Sequence, residues 1–130
     1  MAIDDPQPAP PAGDAEFDLE AWRAIAELDP SGESGLVAEL TETFIRDVGE
    51  KLQSLRSLLS AGDAEGIHRL THQIKASAAT LGLMRMSRIS RTIDEDARRG
   101  GLETAARMLD ELESTFVSGS AWLRAHAPQR

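Results

Sequence analysis

LSAGDAEGIHRLTHQIKASAATLG, residues 59–82, is the stretch on which the folding of this chain turns. Gly62 and Gly82 are helix-terminating residues, and Asp63 is a good helix cap, so the span between them reads as one helix from about Ala64 to Leu81. Within it Ile67, Leu70, Ile74, Ala78 and Leu81 recur at steps of three and four, which makes a single apolar stripe. At about 100° per residue, that stripe lies roughly 160–240° around the helix from His72. His72 therefore faces away from the core. Within about 60° of it fall His68, Arg69, Lys75, Ala76 and Ala79. The two alanines leave room for a flat surface to approach the imidazole.

The same punctuation repeats in both directions. Upstream, Leu40, Phe44, Val48, Leu52, Leu55 and Leu59 form the stripe of a long helix that Gly62 ends. Before that, FDLEAWRAIAELD places Leu19, Trp22, Ile25 or Ala26, and Leu28 at helical spacing after Asp18, and DPSGESG then breaks the pattern. Downstream, Met86, Ile89, Ile93 and Ala97 mark a fourth helix, which Gly100 and Gly101 close. Leu102, Ala105, Leu109, Leu112, Phe116 and Leu123 mark the last. No strand pattern is present. The predicted fold is all-α, an antiparallel four-helix bundle with an additional short N-terminal helix capping one end. The opening MAIDDPQPAPPAGDAE, residues 1–16, is rich in Pro, Ala and Asp and is expected to be a disordered tail or linker; residues 17–127 form the bundle.

Composition narrows the function. A chain of 130 residues has one modest core. A net charge of −8 with no basic stripe argues against nucleic acid. The absence of cysteine removes disulfides, thiolate metal sites and thiol catalysis. No apolar run long enough to cross a bilayer occurs, and the N-terminus lacks a basic-then-apolar signal. The expectation is a cytoplasmic domain with no direct membrane contact, whether standing alone or attached to something larger.

Neutral imidazole is a competent nucleophile near neutral pH. A phosphoryl group on His72 would sit one turn from the Lys75 ammonium, which can balance its charge. The sequence offers no dedicated base and no metal cage, so the site suits handing a group over. Two other readings compete. His68 and His72, four residues apart, could ligate a metal, and Glu65-Gly66-Ile67-His68 has the Glu-x-x-His form of di-metal bundles. That form needs a second copy, and the third histidine, His126, has no glutamate three residues back, so no metal is assigned. The other is a purely structural bundle in which His72 has no task.

The run His72-Gln73-Ile74-Lys75-Ala76-Ser77-Ala78-Ala79-Thr80-Leu81-Gly82 resembles the signature of histidine-containing phosphotransfer (HPt) domains, roughly H-x-[LI]-K-G-[SA]-[SA]-x-x-[LI]-G. LSAGDAEGIHRLTH upstream is similar to the family's approach to its histidine, and the likeness extends over about residues 18–125. The resemblance implies that His72 accepts a phosphoryl group, on Nε2, from receiver-domain aspartates of response regulators and passes it to others. It implies that Lys75 balances the phosphoryl charge. Asp94, twenty-two positions after the histidine, matches a polar residue that orients the ring in relatives. His68, Arg69, Ala76, Ala79 and Leu83 are the expected receiver-facing residues. The partners implied are receivers and a hybrid sensor histidine kinase, which could tether the domain to a membrane. The chain itself needs no cofactor, and Mg²⁺ is expected on the receiver. Ala76 departs from the family glycine and puts one extra methyl beside the imidazole. Gln73 stands where a histidine kinase carries an acid, and no nucleotide loop is present, so kinase activity is not expected.

Overall fold

In a computed structural model the described residues are 16–128, and the tail expected at 1–16 lies outside them except for Glu16. Five helices follow in order: α1 Leu19–Ala26, α2 Leu36–Ala61, α3 Ala64–Thr80, α4 Met84–Arg98 and α5 Glu103–His126. The predicted all-α bundle is the observed architecture. Helices α2 to α5 run up and down through short links and pack around one core, each touching its neighbours in the ring. Ile67, Ile74, Met86, Ile93, Leu109, Leu112 and Leu123 are among the fully buried side chains at its centre. No described helix is long and apolar enough to cross a membrane.

The sequence punctuation works as read. The Asp18 carboxylate accepts hydrogen bonds from the amides of Glu20 (3.1 Å) and Ala21 (3.2 Å) and starts α1. Gly62 ends α2 in the left-handed region (φ 70°), and the Asp63 side chain accepts from Gly66 N at 2.9 Å to start α3. Helix α2 begins on Gly35 without a side-chain cap of its own; buried Asp29 supplies one, accepting from Leu36 N at 3.2 Å and Ser34 N at 3.3 Å.

Helix α1 caps one end of the bundle, where α3 turns into α4. Asp18 N donates to Gly82 O (2.7 Å), Met84 N donates to Glu16 O (3.0 Å), and Phe17 forms an isolated bridge with Leu83. Buried Trp22 meets Trp122 edge-on at 5.6 Å, and Phe17 stacks on the same ring at 4.8 Å. This cap holds the C-terminal end of α3, the helix that carries His72.

Three stripes differ from the periodic reading, α2 and α3 for one reason and α1 for another. On α2 the buried residues run Val37, Thr41, Phe44, Val48, Leu52 and Leu55, with Leu40 exposed and Leu59 half-buried. On α3 Thr71 is fully buried, while Leu70 is only half-buried. The reason is the same in both cases: a threonine takes the inward position that hydropathy gives to the neighbouring leucine. Thr71 Oγ1 can go inside because it donates to the carbonyl of Ile67 at 2.7 Å within its own helix. Leu19 and Leu28, counted on the α1 stripe, are 50% and 59% exposed, because that short helix buries Trp22 and packs only Ile25 and Ala26 beside it against the core.

Two carboxylates make the fold sensitive to acid. Hydrogen bonds from Thr104, whose amide in the first turn of α5 donates to Asp96 Oδ2 at 3.1 Å, hold Asp96 below the ordinary aspartate value of 3.8. Burial pushes Asp29 up, but the bonds from Ser34, Leu36 and Gly35 together outweigh it and leave that carboxyl lowered as well. A lowered folded value means that the stabilisation is present above the unfolded value and is lost as pH falls through the folded one. The thermal midpoint, followed by circular dichroism, should therefore drop as pH is taken below the ordinary value of 3.8. In Asp96→Asn it should be lower at neutral pH and fall less steeply in acid; an unchanged acid slope would remove Asp96 from this account.

Candidate phosphoryl-carrier site

The middle of α3 presents His72, with 58% of its side chain exposed. It does not point wholly away from the neighbouring helix as the wheel suggests, since its Nδ1 faces Asp94 of α4. His68, His72 and Lys75 lie along one edge of α3, and that edge leans on α4 at Asp94. Asp94 is fully buried in the packing of α4 against α3. Its Oδ1 meets His68 Nδ1 in a short contact, and its Oδ2 lies 3.5 Å from His72 Nδ1, 3.9 Å from Lys75 Nζ and 3.8 Å from an Arg98 guanidinium nitrogen. A buried carboxylate is costly unless it is paired and hydrogen-bonded, and here donors surround both oxygens.

The electrostatics follow from that enclosure. An Nδ1–H directed at Asp94 leaves the His72 Nε2 lone pair for chemistry. Lys75 is 27% exposed, with its ammonium between the carboxylate and solvent. The backbone beneath is pinned to α4, since Ser87 Oγ donates to the Lys75 carbonyl at 3.0 Å. Ala76 and Ala79 line a groove of about 400 Å³ with Lys75, Met84, Ser87, Arg88 and Arg91. Arg69 is exposed on the other flank of His72.

Two expectations for the receiver-facing set need correction. Leu83 is only 2% exposed and is unavailable to a partner. Its side chain packs over Gly119, so closely that a methyl carbon added at that glycine would meet Leu83 Cδ1 at 3.1 Å. His68 is not an outward-pointing rim residue, since it is half-buried and turned onto Asp94. Among the described residues, no group of three or more His, Asp or Glu side chains has an arrangement suited to a metal ion. His126 serves elsewhere: its ring stacks on Trp122 at 4.0 Å and its Nδ1 contacts the Trp122 carbonyl at 2.8 Å. Arg98, not singled out from sequence, joins the site through Asp94; its i,i+4 spacing on α4 was the available signal.

A helical bundle that presents one imidazole on an open face, backed by a buried carboxylate and a lysine, is built as a carrier of small charged groups. The family model of the Hpt domain matches residues 39–117, and the chain belongs to that family. The general role of that family is histidine phosphotransfer in phosphorelays, as carriers that interact with receiver domains. Among solved structures, histidine-containing phosphotransfer protein B (HptB) from Pseudomonas aeruginosa PAO1 has the same fold. The match has a TM-score of 0.78 at 24% identity and covers 88% of this chain and 96% of that one. No curated protein matches the sequence.

Proposed function

We propose that the chain is a phosphorelay intermediate in which His72 Nε2 accepts a phosphoryl group from a receiver aspartate and passes it to a second receiver. The observation that carries this reading is the exposed imidazole whose Nδ1 faces the buried carboxylate of Asp94. In the forward step the Nε2 lone pair forms the N–P bond while the P–O bond to the receiver aspartate breaks, and Nδ1 keeps its proton. Asp94 then faces a ring made more cationic by phosphorylation, and Lys75 faces the phosphoryl oxygens. Onward transfer is the same exchange in reverse. A Mg²⁺ held by the receiver supplies charge neutralisation during transfer.

The receiver is taken to dock over His72, with Arg69 on one side and the groove of Ala76 and Ala79 on the other. The Ala76 methyl narrows the approach relative to the family glycine and favours some receivers over others. This reading gives the chain no kinase activity of its own. It sets it in the cytoplasm, alone or tethered to a hybrid sensor kinase.

The test is transfer from a phosphorylated receiver in the presence of Mg²⁺. Label should move to this chain, be labile to acid and stable to base, and leave when a second unphosphorylated receiver is added. Label that never reaches the chain, across a panel of receivers, would end the proposal. Lys75→Met should slow acceptance about tenfold, the value of one charge interaction of ~1.4 kcal/mol in a partly exposed site. Lys75→Arg should fall between the two, and a rate unchanged in Lys75→Met would leave the lysine without a role.

A further inference from the structure

Asp94 serves two imidazoles, and only one of them belongs to the family signature. His68 and His72 lie one turn apart on α3, with ring centroids 6.1 Å apart and planes tilted by 53°. Both turn Nδ1 toward the same buried carboxylate, His68 onto Oδ1 and His72 toward Oδ2. His68 makes the close contact, whereas the 3.5 Å separation to His72 is at the outer limit of a hydrogen bond. We infer that His68 is a positioning residue for His72, acting through Asp94: by occupying Oδ1 it limits how firmly the carboxylate holds the Nδ1–H of His72.

The physical reason is competition for one acceptor in a place water does not reach. Asp94 has no exposed surface, so its lone pairs can be satisfied only by the groups around it. Those groups include His68 and His72, together with the cations Lys75 and Arg98, which both lie nearer Oδ2. When the His68 N–H is withdrawn, the carboxylate must turn to the donors that remain, and His72 Nδ1–H is among the nearest. A firmer hold on that N–H favours the tautomer with Nε2 unprotonated. The exposure of the two rings fits this division of labour, with His68 at 34% and His72 at 58%.

The experiment reads the tautomer of His72 directly, by long-range ¹H–¹⁵N correlation of its ring nitrogens at a pH where the rings are neutral. His68→Leu, which keeps water out but has no N–H, should raise the ratio of Nδ1–H to Nε2–H tautomer of His72 by about threefold or more, a modest share of a hydrogen bond to a carboxylate. His68→Gln, whose amide can still donate to Oδ1, should stay near the parent ratio. In an Asp94→Asn background the difference between these two variants should vanish. An unchanged ratio in His68→Leu overturns the inference, and so does an equal change in His68→Gln or in the Asp94→Asn background. Should His68→Leu lose its native amide spectrum, His68→Met takes its place.

The consequence for transfer rests on the phosphorelay reading. A firmer hold by Asp94 stabilises the Nδ1-protonated ring that carries phosphorus on Nε2, so His68→Leu should accept a phosphoryl group faster than the parent. A shifted tautomer with no phosphoryl uptake by any variant would overturn the phosphorelay reading and leave the coupling established. Uptake with no tautomer shift would do the reverse.

Discussion

His72→Gln should take up no acid-labile phosphoryl group from phosphoramidate, while the parent chain gains one by intact mass. Glutamine preserves polarity and approximate size, so the exposed position on α3 tolerates it without loss of fold. What it lacks is a ring nitrogen with an available lone pair. Of the other histidines, His68 is half-buried against Asp94 and His126 is stacked on Trp122 near the end of α5. Neither has the combination of exposure and adjacent lysine found at His72. The loss should therefore be complete. A variant that still gains a phosphoryl group would move the acceptor elsewhere, with His68 the first position to examine. The result also decides between the carrier reading and a structural bundle, in which changing His72 has no consequence.

The second large effect concerns the fold. Gly82→Ala should destabilise the protein by about 2–4 kcal/mol, which lowers the melting midpoint by roughly 7–15 °C for a domain of this size. Gly82 has φ +84°, in the left-handed region that side chains disfavour. A methyl there would also stand 2.5 Å from the Asp18 carbonyl oxygen, a backbone atom that cannot swing aside. The same junction holds Asp18 N to Gly82 O, so strain here loosens α1 from the turn between α3 and α4. Thermal unfolding by circular dichroism measures the effect, and a shift within about 2 °C would show that the turn relaxes cheaply. His72 lies ten residues back, roughly 15 Å along the helix, so the folded fraction should still accept phosphoryl groups at low temperature.

The order of the helices, their caps and their breaks were legible because each rests on local chemistry. Asp18, Asp63 and Gly62 act on amides and carbonyls within a few residues of themselves, so spacing reveals them. The apolar stripes were legible to within a residue, and on α3 the reading failed at Thr71, which satisfies its own hydroxyl on the preceding turn. His72 and Lys75 were legible as a pair for the same reason, since one helix sets their separation. Leu83 shows the limit: it sits in a short link with no periodicity to orient it, and its burial depends on Gly119 of a helix far along the chain.

Helical periodicity converts spacing into direction, and that alone dictates the all-α bundle, the exposure of His72 and the lysine one turn beyond it. The state of Asp94 is a different matter. A carboxylate on an amphipathic helix can be solvated or enclosed, and only the packing of α3 against α4 settles which. That packing buried it completely, turned His68 and His72 onto its two oxygens, and brought Lys75 and Arg98 to one side. Contacts across twenty-two and twenty-six residues are set by how two helices rotate about their axes. No local pattern in either helix contains that angle.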